Sequence, residues 1–201
     1  MKENEKNNNI KVILLGESGI GKTCLINITV GFKFSDVLDS TASSSFVTKK
    51  FIKSNTEYIL NLWDTAGQEK FRAMTKLFIK NTKIVIFVYA IDDKSSFDCL
   101  PFWVSTVKEI LGNEVILALV GNKSDLYLNE TVKNEDAEAY AKTIGAKFKL
   151  VSAKTNPKGF IDLLDDLLEE YLQNNGTVKR VESFEIKKEQ YKKKKLKLKF
   201  C

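Results

Sequence analysis

The stretch Gly16-Glu17-Ser18-Gly19-Ile20-Gly21-Lys22-Thr23 constrains this chain more than any other. An apolar run, Val12-Ile13-Leu14-Leu15, precedes it, and a helix-like segment beginning Cys24-Leu25-Ile26 follows. A buried strand, a glycine-rich turn and a helix in that order gather backbone N–H groups and the positive end of a helix dipole around one point. Such a point seats an anion. Lys22 adds a mobile cation that reaches terminal phosphates, and Thr23 adds a hydroxyl suited to Mg²⁺. Ser18, Gly19, Ile20, Gly21, Lys22, Thr23 and Cys24 are therefore candidate contacts for a nucleoside triphosphate. The plainer alternative is a glycine-rich strand–helix turn with no ligand; the flanking strand and helix favour the phosphate reading.

Beyond this stretch, short apolar runs alternate with helical patterns. Strands are expected at Ile10–Leu15, Phe46–Lys53, Glu57–Trp63, Ile84–Tyr89, Val115–Val120 and Lys147–Val151. Ser54-Asn55-Thr56 reads as a hairpin turn between the second and third. Helices are expected at Gly21–Val30, near Phe71–Phe78, over Ser95–Gly112 with its main part starting at Pro101, over Asn134–Ile144 with Asn134 as cap, and over Pro157–Tyr171. Phe160, Leu163, Leu164, Leu167, Leu168 and Tyr171 form a helical stripe that reads as core packing. Residues 32–45 form a long Ser-rich loop, which in a compact domain is usually functional. Strands alternating with helices predict an α/β fold: a six-stranded mostly parallel sheet with helices on both faces and one antiparallel hairpin strand. Ligands of such sheets bind beyond the carboxyl ends of the strands.

Three further polar clusters follow strand ends. Asp64-Thr65-Ala66-Gly67-Gln68-Glu69 offers a carboxylate for Mg²⁺, a glycine where backbone can approach a terminal phosphate, and Gln68, which can orient a water for in-line attack. In Asn122-Lys123-Ser124-Asp125, the Asp125 carboxylate can accept from the N1–H and exocyclic amine of guanine, donors that adenine lacks. That difference is worth on the order of 10⁴ in discrimination. Lys123 can lay its stem along the base, and Asn122 can tie this loop to the phosphate loop. Ser152-Ala153-Lys154 can present a backbone N–H to the base carbonyl.

Together these motifs resemble the Ras superfamily of small GTPases, and within it most closely the Rab family, over residues 10–173. Trp63, Phe71-Arg72 and Ser18 favour Rab over Ras or Rho. The resemblance implies a P-loop NTPase fold and a switch that binds GTP or GDP with Mg²⁺, hydrolyses GTP slowly and recruits effectors in membrane trafficking. It implies that Thr41 closes on Mg²⁺ beside Thr23 and Asp64, that Phe34 covers the guanine, and that Lys22 and Gln68 act in hydrolysis. Where the family usually has Ile-Gly after the switch threonine, this chain has Ala42-Ser43. The usual paired tyrosines of the second switch are Phe78-Ile79, expected to touch the effector-facing surface. A different kind of reading is a non-cycling module in which guanine nucleotide is permanent; a kinase acting on ATP is a weaker one, opposed by Asp125.

Charge is unevenly placed. The net charge is +6 over 201 residues. Residues 176–201 hold ten Lys or Arg and three Glu, a net of +7, which leaves 22 basic against 23 acidic residues before them. A near-neutral body argues against nucleic acid, and a basic tail points to an anionic membrane. No apolar run approaches the roughly 20 residues of a membrane span. The expected organisation is a disordered lead at residues 1–9, the GTPase domain at 10–173, and a flexible polybasic tail at 174–201. Family tails usually end in two cysteines; this one ends in the single Cys201, expected to be prenylated, with the lysines as the second membrane signal. The protein is then cytoplasmic, peripheral on endomembranes and monomeric. Its implied partners are an exchange factor, a GTPase-activating protein, effectors and a prenyl-binding chaperone. The remaining two cysteines, Cys24 and Cys99, are expected in the core, and no His is present for imidazole chemistry. The chain has two Arg, Arg72 and Arg180. Neither holds a catalytic position, so fast hydrolysis is expected to need an arginine from a partner.

Overall fold

Each strand of the central sheet is either apolar throughout or alternates, and this sets which strands lie inside. The computed structural model describes residues 8–34, 45–65 and 72–175. Its elements run β1 (Asn9–Leu15), α1 (Lys22–Thr29), β2 (Ser45–Lys53), β3 (Thr56–Asp64), α2 (Arg72–Ile79), β4 (Ile84–Ala90), α3 (Lys94–Asp98), α4 (Leu100–Leu111), β5 (Ile116–Asn122), a 3₁₀ helix (Ser124–Asn129), α5 (Asn134–Ile144), β6 (Lys147–Leu150) and α6 (Pro157–Asn174). The chain divides into two compact units, Met1–Leu167 and Leu168–Cys201. All six strands belong to the first, and the described part of the second, residues 168–175, holds the end of α6.

The strand order is β2-β3-β1-β4-β5-β6. Every pairing is parallel except β2 with β3. β4 and β5, buried along their whole length, occupy the interior of the sheet; continuous apolar runs are what a parallel strand covered on both faces requires. β6 carries exposed Lys147 and Lys149 at one edge, where charge discourages pairing with another chain.

Register and hydrogen bonds assign the helices to faces. Lys49 donates to the Thr29 carbonyl of α1, and Lys53 pairs with Asp165 of α6. Residues four apart on a strand share a face, so α1 and α6 cover the same side. Leu60, Leu62, Val12, Leu14, Ile84 and Ile86 share that face by register. The other face presents Ile13, Leu15, Val85, Phe87, Tyr89, Leu117 and Leu119 to a cluster with Leu100, Trp103, Val104 and Val107 of α4 and Ala137 and Ala141 of α5. The expected six-stranded α/β fold with helices on both faces is the fold observed.

Local details differ where one residue changes the outcome. Lys53 pairs with Thr56, so the hairpin turn is the two residues Ser54-Asn55, with φ of 48° and 61°. Both are left-handed, as a tight turn matching strand twist demands. Pro101 sits in the first turn of α4, as expected, after the five-residue α3. Asn134 is not the cap of α5: Lys133 holds that place, without a side-chain hydrogen bond. Cys24 and Cys99 are half-buried and not core. Ile79 is fully buried in the α4–α5 cluster, so of the pair expected on the effector-facing surface Phe78 alone is partly exposed; it packs on Trp63.

Candidate functional site

The glycine-rich turn after β1 takes conformations that side chains oppose. At Gly16, φ is 149°, and a Cβ would lie 2.2 Å from the Val88 carbonyl oxygen. At Gly21, φ is 91°, and a Cβ would lie 2.4 Å from the Asn122 amide nitrogen. These glycines let the turn press against β4 and β5 and leave the start of α1 facing the concave side of the loop. No side chain caps that helix, and its first-turn N–H groups are what a helix offers an anion.

Lys22 curls back into the loop. Its Nζ donates to the carbonyls of Gly16 at 2.9 Å and Glu17 at 2.6 Å, with the residue 5% exposed. Burial pulls its pKa from the ordinary 10.5 down to about 8, against the opposing pull of Asp64 and Glu17. A lysine this deep, facing carbonyl oxygens, is a cation seated where anionic charge would restore it. Thr23 donates to Asp64 Oδ2 at 2.7 Å, so the hydroxyl and carboxylate expected at the metal already meet. Both are hard oxygen donors of the kind Mg²⁺ takes. Thr65 ties the same strand end to β1 by donating to the Leu14 carbonyl at 2.7 Å.

Asn122 closes β5 and joins three loops. Its Nδ2 donates to the Ile20 carbonyl of the phosphate loop at 2.7 Å, and its Oδ1 accepts from the Ala153 amide at 3.3 Å. The tie between the two loops expected of Asn122 is therefore formed. Lys123 follows in a left-handed conformation (φ 62°), which turns the chain into the 3₁₀ helix. The Ser124 amide donates to the Val151 carbonyl, fixing this loop to the end of β6. Ser152 donates from its hydroxyl to Asp125 Oδ1 and accepts from the amides of Lys154 and Thr155. Asp125 is thus oriented by a side chain that the backbone itself orients. Phe34 lies half-buried beneath Lys154, whose Nζ is 5.5 Å from the ring centre.

Phosphate loop, Asp64, Asn122–Asp125, Ser152–Lys154 and Phe34 all lie among the described residues. Thr41, Gly67, Gln68 and Cys201 lie outside them, as do Ala42, Ser43 and Arg180. One further strand end carries a polar cluster outside those motifs. Asp92-Asp93 follows β4, and Lys123 Nζ lies 3.4 Å from Asp92 Oδ1. The signal was the same as at the other strand ends, a polar cluster directly after an apolar run.

A family model described as the Ras family matches residues 11–173. The chain belongs to that family. Among its relatives is the Ras-related protein Rab-21 of Bos taurus, 40% identical over 163 residues, covering 81% of this chain and 73% of that protein. Rab-21 of Dictyostelium discoideum is 36% identical over 178 residues, covering 89% and 82%. Rab-37 of Homo sapiens is 36% identical over 146 residues, covering 72% and 66%. Within the Ras family this is a Rab-type small GTPase, a protein that binds GTP and hydrolyses it to GDP and phosphate.

Proposed function

We propose that this Rab-type GTPase seats guanine nucleotide in the cleft between the phosphate loop and the Asn122–Asp125 and Ser152–Lys154 loops, and cycles between GTP and GDP to recruit effectors on a trafficking membrane. The observation that carries the reading is Asn122, whose one side chain holds the phosphate loop at Ile20 and the base-side loop at Ala153. A nucleotide long enough to touch both loops finds them already in fixed relation.

In this reading Ser18, Gly19, Ile20, Gly21, Thr23 and Cys24 offer backbone N–H groups to the phosphates, and Lys22 places its charge among them. Asp125 accepts the guanine donors, Ala153 and Lys154 approach the base carbonyl, and Lys123 and Phe34 bracket the ring. Mg²⁺, held by Thr23 and Thr41 with Asp64 supporting, supplies charge neutralisation on the phosphate oxygens. Gly67 admits backbone to the terminal phosphate, and Gln68 orients the attacking water. With neither arginine in a catalytic position, single-turnover hydrolysis by the isolated chain is expected below about 1 s⁻¹ and to rise with a partner's arginine.

Among the described residues, no helix is long and apolar enough to cross a membrane. Membrane attachment is assigned to the lysine-rich residues 174–201 and a prenyl group on Cys201, delivered by a prenyl-binding chaperone. Exchange factor, activating protein and effectors are the partners this cycle needs.

The test is base specificity. In Asp125→Asn, an amide replaces the carboxylate, so guanine loses its acceptor and xanthine, with a carbonyl in place of the 2-amine, gains a donor. Competition binding should show preference shifting from GDP to XDP by on the order of 10⁴. A variant that still prefers GDP removes Asp125 from the base site.

A further inference from the structure

Lys123 has two things to explain. It adopts the left-handed conformation (φ 62°, ψ 35°), which costs a residue with a Cβ on the order of 1 kcal/mol. Its ammonium also has a fixed address, 3.4 Å from Asp92 Oδ1, with the two side chains 32% and 24% exposed.

Asp92 stands on a rigid support. Before it, the Ile91 amide donates to the Asn122 carbonyl at 3.1 Å, and the Ile91 carbonyl accepts from the amides of Thr131 at 2.8 Å and Val132 at 3.3 Å. After it, Asp93 donates its amide to Ala90, and its side chain caps α3, accepting from the Ser95 hydroxyl and the Ser96 amide. Backbone bracketed this way holds the Cα of Asp92 in place, and one short side chain then keeps its carboxylate within reach of Lys123. The ammonium meets the carboxylate there, and the lysine stem runs between its own Cα and that fixed point.

We propose that Asp92 is a positioning residue for nucleotide retention: it anchors the Lys123 ammonium at the end of β4, so that the lysine stem is held where it flanks the base. The inference rests on the reading above, that guanine nucleotide sits in this cleft. It adds β4 to the strands whose carboxyl ends shape the site. The pair is partly buried, so it is less screened by solvent than an exposed pair and bears less desolvation than a fully buried one.

The experiment measures dissociation of N-methylanthraniloyl-GDP from the full chain, chased with excess GDP in EDTA. The variants are Asp92→Asn, Asp92→Glu, Lys123→Met and the Asp92→Asn/Lys123→Met double. Lys123→Met keeps an apolar stem and removes the charge. Asp92→Asn should release nucleotide about fivefold faster. Asp92→Glu should stay within about twofold of the parent, and adding Asp92→Asn to Lys123→Met should change the rate by less than about twofold. Equal rates for Asp92→Asn and the parent would overturn the proposal. So would the same acceleration in the Lys123→Met background, because Asp92 would then act through the loop and not through the ammonium. A parent chain that fails to retain the probe at all overturns the nucleotide reading itself, and this inference with it.

Discussion

At the phosphate end of the proposed nucleotide cleft, Lys22 is buried on two backbone carbonyls, with its charge state already pulled toward neutrality. At the base end, by contrast, Asn122 bridges Ile20 and Ala153, and Ser152 bridges Asp125 and the backbone. Side chains at the base end are satisfied within the protein, by backbone groups and by one another; the lysine at the phosphate end is a buried cation, and its settlement improves with an anion. The two ends should therefore respond differently to substitution. Changes at the base end should damage the empty fold as well as the site, and the change at Lys22 should damage the site alone.

The largest separation is expected from Lys22→Met. It removes a charge-assisted contact to phosphate, and nucleotide affinity should fall by at least about 100-fold. The nucleotide-free form should lose no more than about 1 kcal/mol, because the two lost hydrogen bonds are offset by removal of a buried charge. Titration calorimetry and denaturant unfolding of the same protein measure both. A large loss of stability in the empty form would show that Lys22 is a structural pin and would break the contrast.

Asn122→Ala tests the other end. It leaves the Ile20 carbonyl and the Ala153 amide without their partner in a place where Asn122 is 2% exposed. The empty protein should lose about 1–3 kcal/mol. Affinity should fall by about tenfold, since the two loops no longer hold each other in register. Affinity lost without any change in unfolding free energy would mean that Asn122 serves the ligand and not the fold.

The same contrast governs what the sequence could reveal. The end of a parallel strand is where backbone hydrogen bonding stops and polar side chains become useful, so clusters at Gly16–Thr23, Asp64, Asn122–Asp125 and Ser152–Lys154 were visible as interruptions of apolar runs. Thr23 and Asp64 are each legible as oxygen donors for Mg²⁺; their direct hydrogen bond, across 41 residues of sequence, is not. Asp92 obeyed the same rule and was missed, because Asp-Asp before a helix reads equally well as a cap, and Asp93 is one. Ile79 was misplaced for another reason. In an eight-residue helix, adjacent residues point about 100° apart, and which one enters the core depends on how the helix packs against α4 and the sheet. The Asn134 cap failed by one residue, within the usual uncertainty of a helix start. Ser152 was expected to serve the base through its backbone; its hydroxyl instead orients Asp125, a long-range pairing that no local pattern carries.

The smallest effect is a matter of protons. Lys22 titrates at about 8 in the folded, empty protein and near 10.5 when unfolded. Below pH 8 both states hold the proton and the burial cost is felt in full. Between pH 8 and 10.5 the unfolded chain binds more protons than the native one, so stability of the empty form rises with pH. Bound phosphate restores the charged lysine, and the ligand's own terminal phosphate, titrating near pH 6, is already ionised. Binding GDP at pH 8 should then take up about half a proton, and at pH 7 about a tenth. Calorimetry in buffers of different ionisation enthalpy reads this uptake directly. It should vanish in Lys22→Met and persist in Asn122→Ala, because the proton belongs to the phosphate end. Uptake that survives Lys22→Met would place the titrating group elsewhere and remove the basis for calling Lys22 a cation in need of its anion.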